Sequence, residues 1–175
     1  MNVRPATIAD IEQCQQLDGS YVTDGVWQMD ETSTPDSVRV SFRRIHIPRR
    51  VEVAYPRSTE ALYEDWSRAE CFLVADELGL VLGYLDMTLR HCQWQGWIEH
   101  LIVHRDQRNR GLATRLLQAA EAWARDNGLE AIVAAIQTKN DPAIRLLVGR
   151  GYSFCGFMDT YYRNGDIGLL YVLHL

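Results

Sequence analysis

Residues 97–128 read W-I-E-H-L-I-V-H-R-D-Q-R-N-R-G-L-A-T-R-L-L-Q-A-A-E-A-W-A-R-D-N-G. Three pieces follow one another. Trp97–Val103 is a strand, His104–Ala113 is a loop with arginines and one glycine, and a helix runs from about Gly111 to Asn127. The helix carries Leu112, Leu116, Leu117, Ala120, Trp123 and Ala124 at spacings that make one buried face. Gly128 is its stop signal.

The loop carries the chemistry. A helix N-terminus offers unpaired N–H groups and a partial positive charge. Gly111 has no side chain and Ala113 almost none, so an anion can approach the backbone closely. Arg108 and Arg110 add positive charge at the same place. The arrangement suits a pyrophosphate. No G-K-[ST] follows, which excludes a Walker loop, and the single glycine excludes a dinucleotide fingerprint.

Working outward, Asn2–Arg4 is a short strand, and Thr7 with Asp10 opens a helix reaching about Asp18. Tyr21–Met29 and Val38–Ile47 are strand-like and are separated by a turn-rich stretch, which predicts a hairpin with one arm exposed. Ser58 or Thr59 caps a helix through about Arg68. Cys71–Asp76 and Leu80–Cys92 are strands joined at Glu77-Leu78-Gly79. Ala131–Thr138 is an apolar strand buried on both faces. Asp141-Pro142 opens a helix that Gly151 ends. Tyr152–Asp159 and Ile167–Leu175 form a last hairpin around Arg163-Asn164-Gly165. This order predicts an α/β (α+β) fold: a mixed, mainly antiparallel central sheet with helices on both faces.

R-N-R-G-L-A (Arg108–Ala113), between a strand and an amphipathic helix, resembles the [QR]-x-x-G-x-[GA] motif of the GNAT N-acetyltransferase superfamily. The likeness runs over the whole chain as a single domain, 1–175, with 20–57 as an inserted ribbon or loop on the acceptor side. It implies acetyl-CoA (coenzyme A) as cofactor and a V-shaped splay after strand four, beyond Leu101. Strand backbone at Leu101, Ile102 and Val103 would hold the acyl arm. The loop at Arg108, Asn109, Arg110, Gly111, Leu112, Ala113 and Thr114 would hold the pyrophosphate, with Asn140 as a further contact or a helix cap.

The same resemblance places an acid or histidine at Glu99. A carboxylate on a central strand is costly unless paired or functional. An amine must lose a proton before it attacks a thioester, so Glu99 is the candidate base. Strand alternation turns His100 to the opposite face. His100 and His104 find no third ligand, so no metal is expected. Relatives carry a tyrosine acid where this chain has Leu147. CoA thiolate is a tolerable leaving group without help, and Tyr152, Tyr161 and Tyr162 are substitutes; Tyr152 and Tyr161 are retained as catalytic candidates.

I-E-H-L-I-V (Ile98–Val103) and I-Q-T-K-N-D-P-A (Ile136–Ala143) are similar to segments of streptothricin acetyltransferases, which modify an amine on a cationic antibiotic; their strand-five glutamate is Ala135 here. Y-Y-R-N-G-D (Tyr161–Asp166) is similar to a loop of protein N-terminal acetyltransferases. The expected function is acetyl transfer to a primary amine of a small, cationic molecule in a ternary complex. The rivals are a peptide N-terminal acetyltransferase and a non-catalytic acyl-CoA-binding module. Asp24, Asp30, Glu31 and Asp36 are candidates for orienting a cation.

The chain has 175 residues, 47% of them hydrophobic and 23% charged, with a net charge of −5. That composition is globular and gives no sign of nucleic-acid affinity. Cys14, Cys71, Cys92 and Cys155 are scattered and read as buried thiols in a reducing cytoplasm. No signal or membrane segment is evident. A homodimer is compatible with the sequence.

Overall fold

The computed structural model describes residues 2–175. In chain order the strands are β1 (Asn2–Pro5), β2 (Tyr21–Thr34), β3 (Ser37–Val53), β4 (Cys71–Glu77), β5 (Leu80–Arg90), β6 (Gln95–Val103), β7 (Ala131–Gln137), β8 (Ser153–Met158) and β9 (Gly168–His174). The α-helices are α1 (Ile8–Gln15), α2 (Leu62–Arg68), α3 (Leu112–Asp126) and α4 (Asp141–Gly149).

Seven strands form one sheet in the order β1-β4-β5-β6-β7-β9-β8. Only β6 and β7 run parallel; the other pairs are antiparallel, as the sequence predicted. Alternation along the strands builds two cores. Cys71, Leu73 and Ala75 of β4 pack with Leu85 and with Leu112, Leu116, Leu117, Ala120 and Ala124 of α3. Phe72 and Val74 pack on the other face with Ile11, Cys14, Leu17 and Leu62 of the α1–α2 side. Each fully buried leucine of α3 contributes about 2 kcal/mol of transfer free energy. α1 begins as expected: the Asp10 carboxylate accepts from the Thr7 N–H at 2.7 Å and the Thr7 hydroxyl at 2.8 Å.

Three local readings are corrected. α2 starts at Leu62 after Ala61, without a side-chain cap, because Ser58 turns its hydroxyl to the Glu60 N–H in the preceding loop. The hairpin arms run further than expected, and β2–β3 form a separate ribbon of 14 and 17 residues, with a register shift between Thr23 and Gly25. Its backbone pairing extends to Thr34↔Ser37 although the side chains there are exposed. Of the four free thiols only Cys14 and Cys71 are buried; Cys92 and Cys155 are exposed.

The feature that positions the site is where β6 leaves β7. Their pairing covers only Gln95↔Ala131 to Ile98↔Ala134. The expected splay is present, but it opens after Ile98 and not after Leu101. On its other edge β6 pairs Asp86↔His100 and Met87↔Ile98, so Glu99 is an extra residue with no partner in β5. Such a bulge bends the strand and re-aims its side chains. It therefore tilts β6 away from β7 and interrupts the strict alternation of faces at Glu99.

Candidate active site

Gly111 is the N-cap of α3 at φ 80°, a left-handed conformation that favours glycine. A Cβ built on it would meet nothing within 4 Å, so the space before the helix is open. A cavity of about 350 Å³ lies there, lined by Leu101, Ile102 and Val103 and by Arg108, Asn109, Gly111, Leu112, Ala113 and Thr114. Asn140, Pro142 and Ala143 close it from α4, and Gly19 and Tyr21 from the root of the ribbon. The opening turn of α3 faces this space with N–H groups that a helix start leaves without intrahelical partners. A pyrophosphate fits that donor set.

The arginines behave differently from the expectation. Arg108 donates to the carbonyls of Val103 at 2.9 Å, Ser20 at 2.5 Å and Asp18 at 2.6 Å. It ties the loop to the ribbon root, and burial lowers its pKa. Arg110 lies outside the cavity, exposed, donating to Gln107 Oε1 at 3.3 Å. Asn140 accepts from the Ala143 N–H at 3.1 Å and caps α4 while lining the cavity.

The splay makes a second, narrow space of about 80 Å³ between β6 and β7. Glu99, Leu101, Ala134, Ala135, Ile136 and Leu147 line it. The Tyr162 hydroxyl donates to the Ala135 carbonyl at 2.8 Å, which satisfies a β7 group that the splay leaves without a β6 partner. A third space of about 540 Å³ opens beyond the cleft, lined by Arg57, Asp65, Asp86, Thr88, Glu99, His100 and Tyr161 among others. Leu101, Asn140, Ala143, Leu146 and Tyr55 are common to the first two spaces, and Glu99, Arg57 and Tyr162 to the last two. The three lie side by side along β6.

Glu99 stands at the inner junction. Its Oε2 accepts from Arg57 Nη1 at 2.9 Å and its Oε1 from Thr88 Oγ at 3.0 Å. Arg57 Nη2 reaches the Tyr161 hydroxyl at 3.2 Å, and its guanidinium lies 5.6 Å from the Tyr161 ring centre and 5.7 Å from that of Tyr162. The bulge at Glu99 lets His100 line the same third space, contrary to the expected alternation. His100 Nδ1 lies 3.0 Å from Asp86 Oδ1, and both residues are buried. Burial raises the pKa of Asp65; His100 opposes this, and Asp86 and Glu99 push it further up.

Two further expectations fail. Tyr152 is buried with its hydroxyl unpartnered among the described residues, and it lines an apolar groove with Phe42, Phe154 and Phe157, away from the cleft. Of the ribbon carboxylates, Asp24 pairs with Arg44 and Asp30 with Arg43, both at 3.1 Å. None of Asp24, Asp30, Glu31 and Asp36 lines the third space; they lie on the separate two-stranded β2–β3 sheet or its turn. The carboxylates there are Asp65, Asp86 and Glu99. Sequence reasoning missed Tyr55, Arg57, Asp65, Asp86 and Thr88. The available signal was Tyr55-Pro56-Arg57, three residues with capable or rigid side chains in a loop before a helix.

A family model described as the acetyltransferase (GNAT) family matches residues 38–152, more than half of the chain. The chain belongs to the GNAT acetyltransferase family. The L-methionine sulfoximine/L-methionine sulfone acetyltransferase of Pseudomonas aeruginosa is 29% identical over 166 residues, covering 90% of this chain and 83% of that protein. The streptothricin acetyltransferase of Streptomyces lavendulae is 24% identical over 92% of this chain and 86% of its own length. A crystal structure of nourseothricin acetyltransferase superposes with a TM-score of 0.83 at 21% identity, covering 99% of this chain and 97% of that one, and so shares the GNAT fold. As a GNAT enzyme this protein is an acetyl-CoA-dependent N-acetyltransferase. No helix among the described residues is long and apolar enough to cross a membrane.

Proposed function

We propose that this N-acetyltransferase acts on the primary amine of a small, cationic molecule, by direct attack in a ternary complex. The observation that carries the reading is Glu99, the carboxylate on the wall common to the narrow cleft and the third space. Acetyl-CoA is assigned to the α3 cavity and the cleft, held by the backbone of Leu101–Val103 and of Gly111–Thr114. The acceptor is assigned to the third space. Glu99 takes a proton from the ammonium, directly or through one water, and the freed amine attacks the acyl carbon. Thr88 and Arg57 fix the carboxylate in place, which is the usual use of bonds around a catalytic group.

The preference for a cation rests on charge. Asp65 and Asp86 face the space together with Glu99; Arg57 offsets Glu99, and the pKa of Asp65 is raised mainly by burial, with Asp86 and Glu99 adding to it. Arg68 and Arg163 also line it, but both are exposed, and Arg68 lies 3.9 Å from Glu64. The names of relatives acting on methionine sulfoximine and streptothricin support a small-molecule acceptor. The rival peptide reading needs tyrosine hydroxyls free to bind a peptide backbone. Here the Tyr162 hydroxyl is committed to the Ala135 carbonyl, which removes one of the two donors that reading needs, while Tyr161 accepts from Arg57 and keeps its own proton. The free thiols support a reducing, cytoplasmic compartment.

The test is acetyl-CoA-dependent thiol release over a panel of polycationic amines, amino acids and short peptides. Turnover confined to small cationic amines is expected. Turnover of peptides alone, or cofactor binding with no thiol release from any amine, would overturn the reading.

A further inference from the structure

Leu147 stands where relatives carry an acid, and it is buried and apolar, so the α4 side of the cleft offers the Asn140 amide but no acidic proton for a departing thiolate. The chain has eight tyrosines, and their surroundings separate them. Tyr63 is exposed on α2. Tyr84 is fully buried in the core of the α1–α2 face. Tyr152 and Tyr171 line the apolar groove beside β8. The Tyr21 hydroxyl donates to Gln137 Oε1 at 2.8 Å, and that of Tyr162 to the Ala135 carbonyl. Tyr161 lies on the third space alone, under Arg57.

Tyr55 is the exception. It lines both the α3 cavity and the narrow cleft, at the junction it shares with Leu101, Ala143 and Leu146. That is the point where an acyl arm lying in the cavity passes into the cleft, next to Leu147. The ring is held from behind: a Cβ on Gly19 would come within 2.7 Å of Tyr55 Cγ, so only glycine leaves room for it. Its other ring neighbour is His100, 5.9 Å away between centres. Arg57 and Glu99 line the same narrow cleft as Tyr55, so the ring shares that wall with the candidate base.

We propose that Tyr55 is a catalytic residue of this enzyme, the proton donor to the CoA sulfur, supplied by the loop before α2 in place of a tyrosine on α4. The inference rests on the acetyl-transfer reading above. Glu99 removes one proton from the acceptor ammonium and passes it to solvent. The nitrogen–carbon bond forms. As the carbon–sulfur bond breaks, its electron pair goes to sulfur, which takes the phenolic proton of Tyr55. The nitrogen of the new amide loses its second proton to the Tyr55 oxygen. The balance is an amide, CoA thiol and one proton released per turnover. A phenol is protonated through neutral pH and so carries a proton to give; burial pushes the Tyr55 hydroxyl above its usual range, which weakens it as an acid, and Arg57 opposes this.

The test is Tyr55→Phe, which keeps the ring and removes the proton. The expected result is a fall in kcat of about a hundredfold, the scale of one general acid, with acetyl-CoA affinity unchanged. Raising the pH should not restore it, whereas the defect of Glu99→Gln should shrink, so loss of the donor and loss of the base are separable. Fluorotyrosine at position 55, with a more acidic phenol, should move kcat in step with its pKa; a merely structural ring would leave kcat unmoved. A Tyr55→Phe enzyme within about twofold of wild type, or a kcat indifferent to fluorination, would overturn the assignment. If wild type releases no thiol with any amine, the acetyl-transfer reading itself has failed.

Discussion

Around the cavity proposed for the cofactor, most of the lining comes from two contiguous stretches, Leu101–Val103 of one strand and the loop and helix start up to Thr114, with Gly19, Tyr21, Tyr55 and the start of α4 closing it. Around the space proposed for the acceptor, the lining comes from distant segments: Arg57 before α2, Asp65 on α2, Asp86 and Thr88 on β5, Glu99 and His100 on β6, and Tyr161 beyond β8. The difference concerns what a sequence can encode locally. A phosphate site made of N–H groups needs a glycine, a helix start and a short motif, all contiguous. A charge constellation needs the finished sheet before its members meet.

The largest effect should come from breaking the contiguous side. Gly111→Asp forces a side chain into a left-handed backbone position and puts a negative charge into the cavity. Acetyl-CoA binding should be lost in a calorimetric titration, and turnover with it, while the melting temperature shifts little. Retained affinity would mean that the cofactor lies elsewhere.

On the scattered side, Arg57→Ala removes donors to Glu99 and Tyr161. Acceptor kcat/KM should fall roughly ten- to a hundredfold, as for losing bonds to a charged group, with cofactor affinity unchanged. A loss of cofactor affinity instead would assign Arg57 to the other side and erase the contrast.

The ribbon tests whether the two sides are mechanically separate. Asp141, at the start of α4, accepts from Arg44 at 2.9 Å and from Trp27 Nε1 at 3.2 Å, and pairs with Arg145 at 2.7 Å. Burial raises its pKa, but the bonds from Arg44, Trp27 and Arg145 outweigh this and hold it below the usual carboxylate value. A lowered folded-state pKa contributes stability above the unfolded value of about 3.9 and loses it as pH falls further. Asp141→Asn should therefore cost about 1–3 kcal/mol near pH 7 in urea unfolding, and the gap to wild type should narrow below about pH 4. A gap independent of pH would remove the charge from the account.

The smallest effect is expected at Leu147. With Tyr55 as donor, Leu147→Tyr should change kcat by less than about threefold, since an extra hydroxyl adds no missing function. A large gain in stopped-flow turnover would show that the cleft lacks an acid after all.

The same contrast explains what was legible in the sequence. The strand, loop and helix of 97–128 could be read because turn chemistry and periodicity are local. Glu99 was legible because a charge on a central strand demands a reason. Arg108 lines the α3 cavity, but its role was misjudged, since its three carbonyl partners lie in Val103 nearby and in Asp18 and Ser20, about ninety residues earlier in the chain. The bulge at Glu99 left no local mark, because it arises from the register against β5. It defeated both the face assigned to His100 and the position assigned to the splay. Tyr152 looked like a substitute acid only by its place in sequence; Gly151 turns the chain so that the ring enters the core. The ribbon carboxylates were counted as acceptor groups before it was visible that Arg43 and Arg44 neutralise two of them.

The central claim is that the wall between the cleft and the acceptor space carries the base. Its most direct measurement is the pH dependence of turnover in Glu99→Gln, made alongside an acetyl-CoA titration. The substitution keeps the shape but cannot take the proton. Turnover should fall about a hundredfold or more near pH 7, the deficit should shrink at high pH as free amine accumulates, and cofactor affinity should barely move. Wild-type turnover with an unaltered pH profile would reduce Glu99 to a structural partner of Arg57 and Thr88, and would contradict the account.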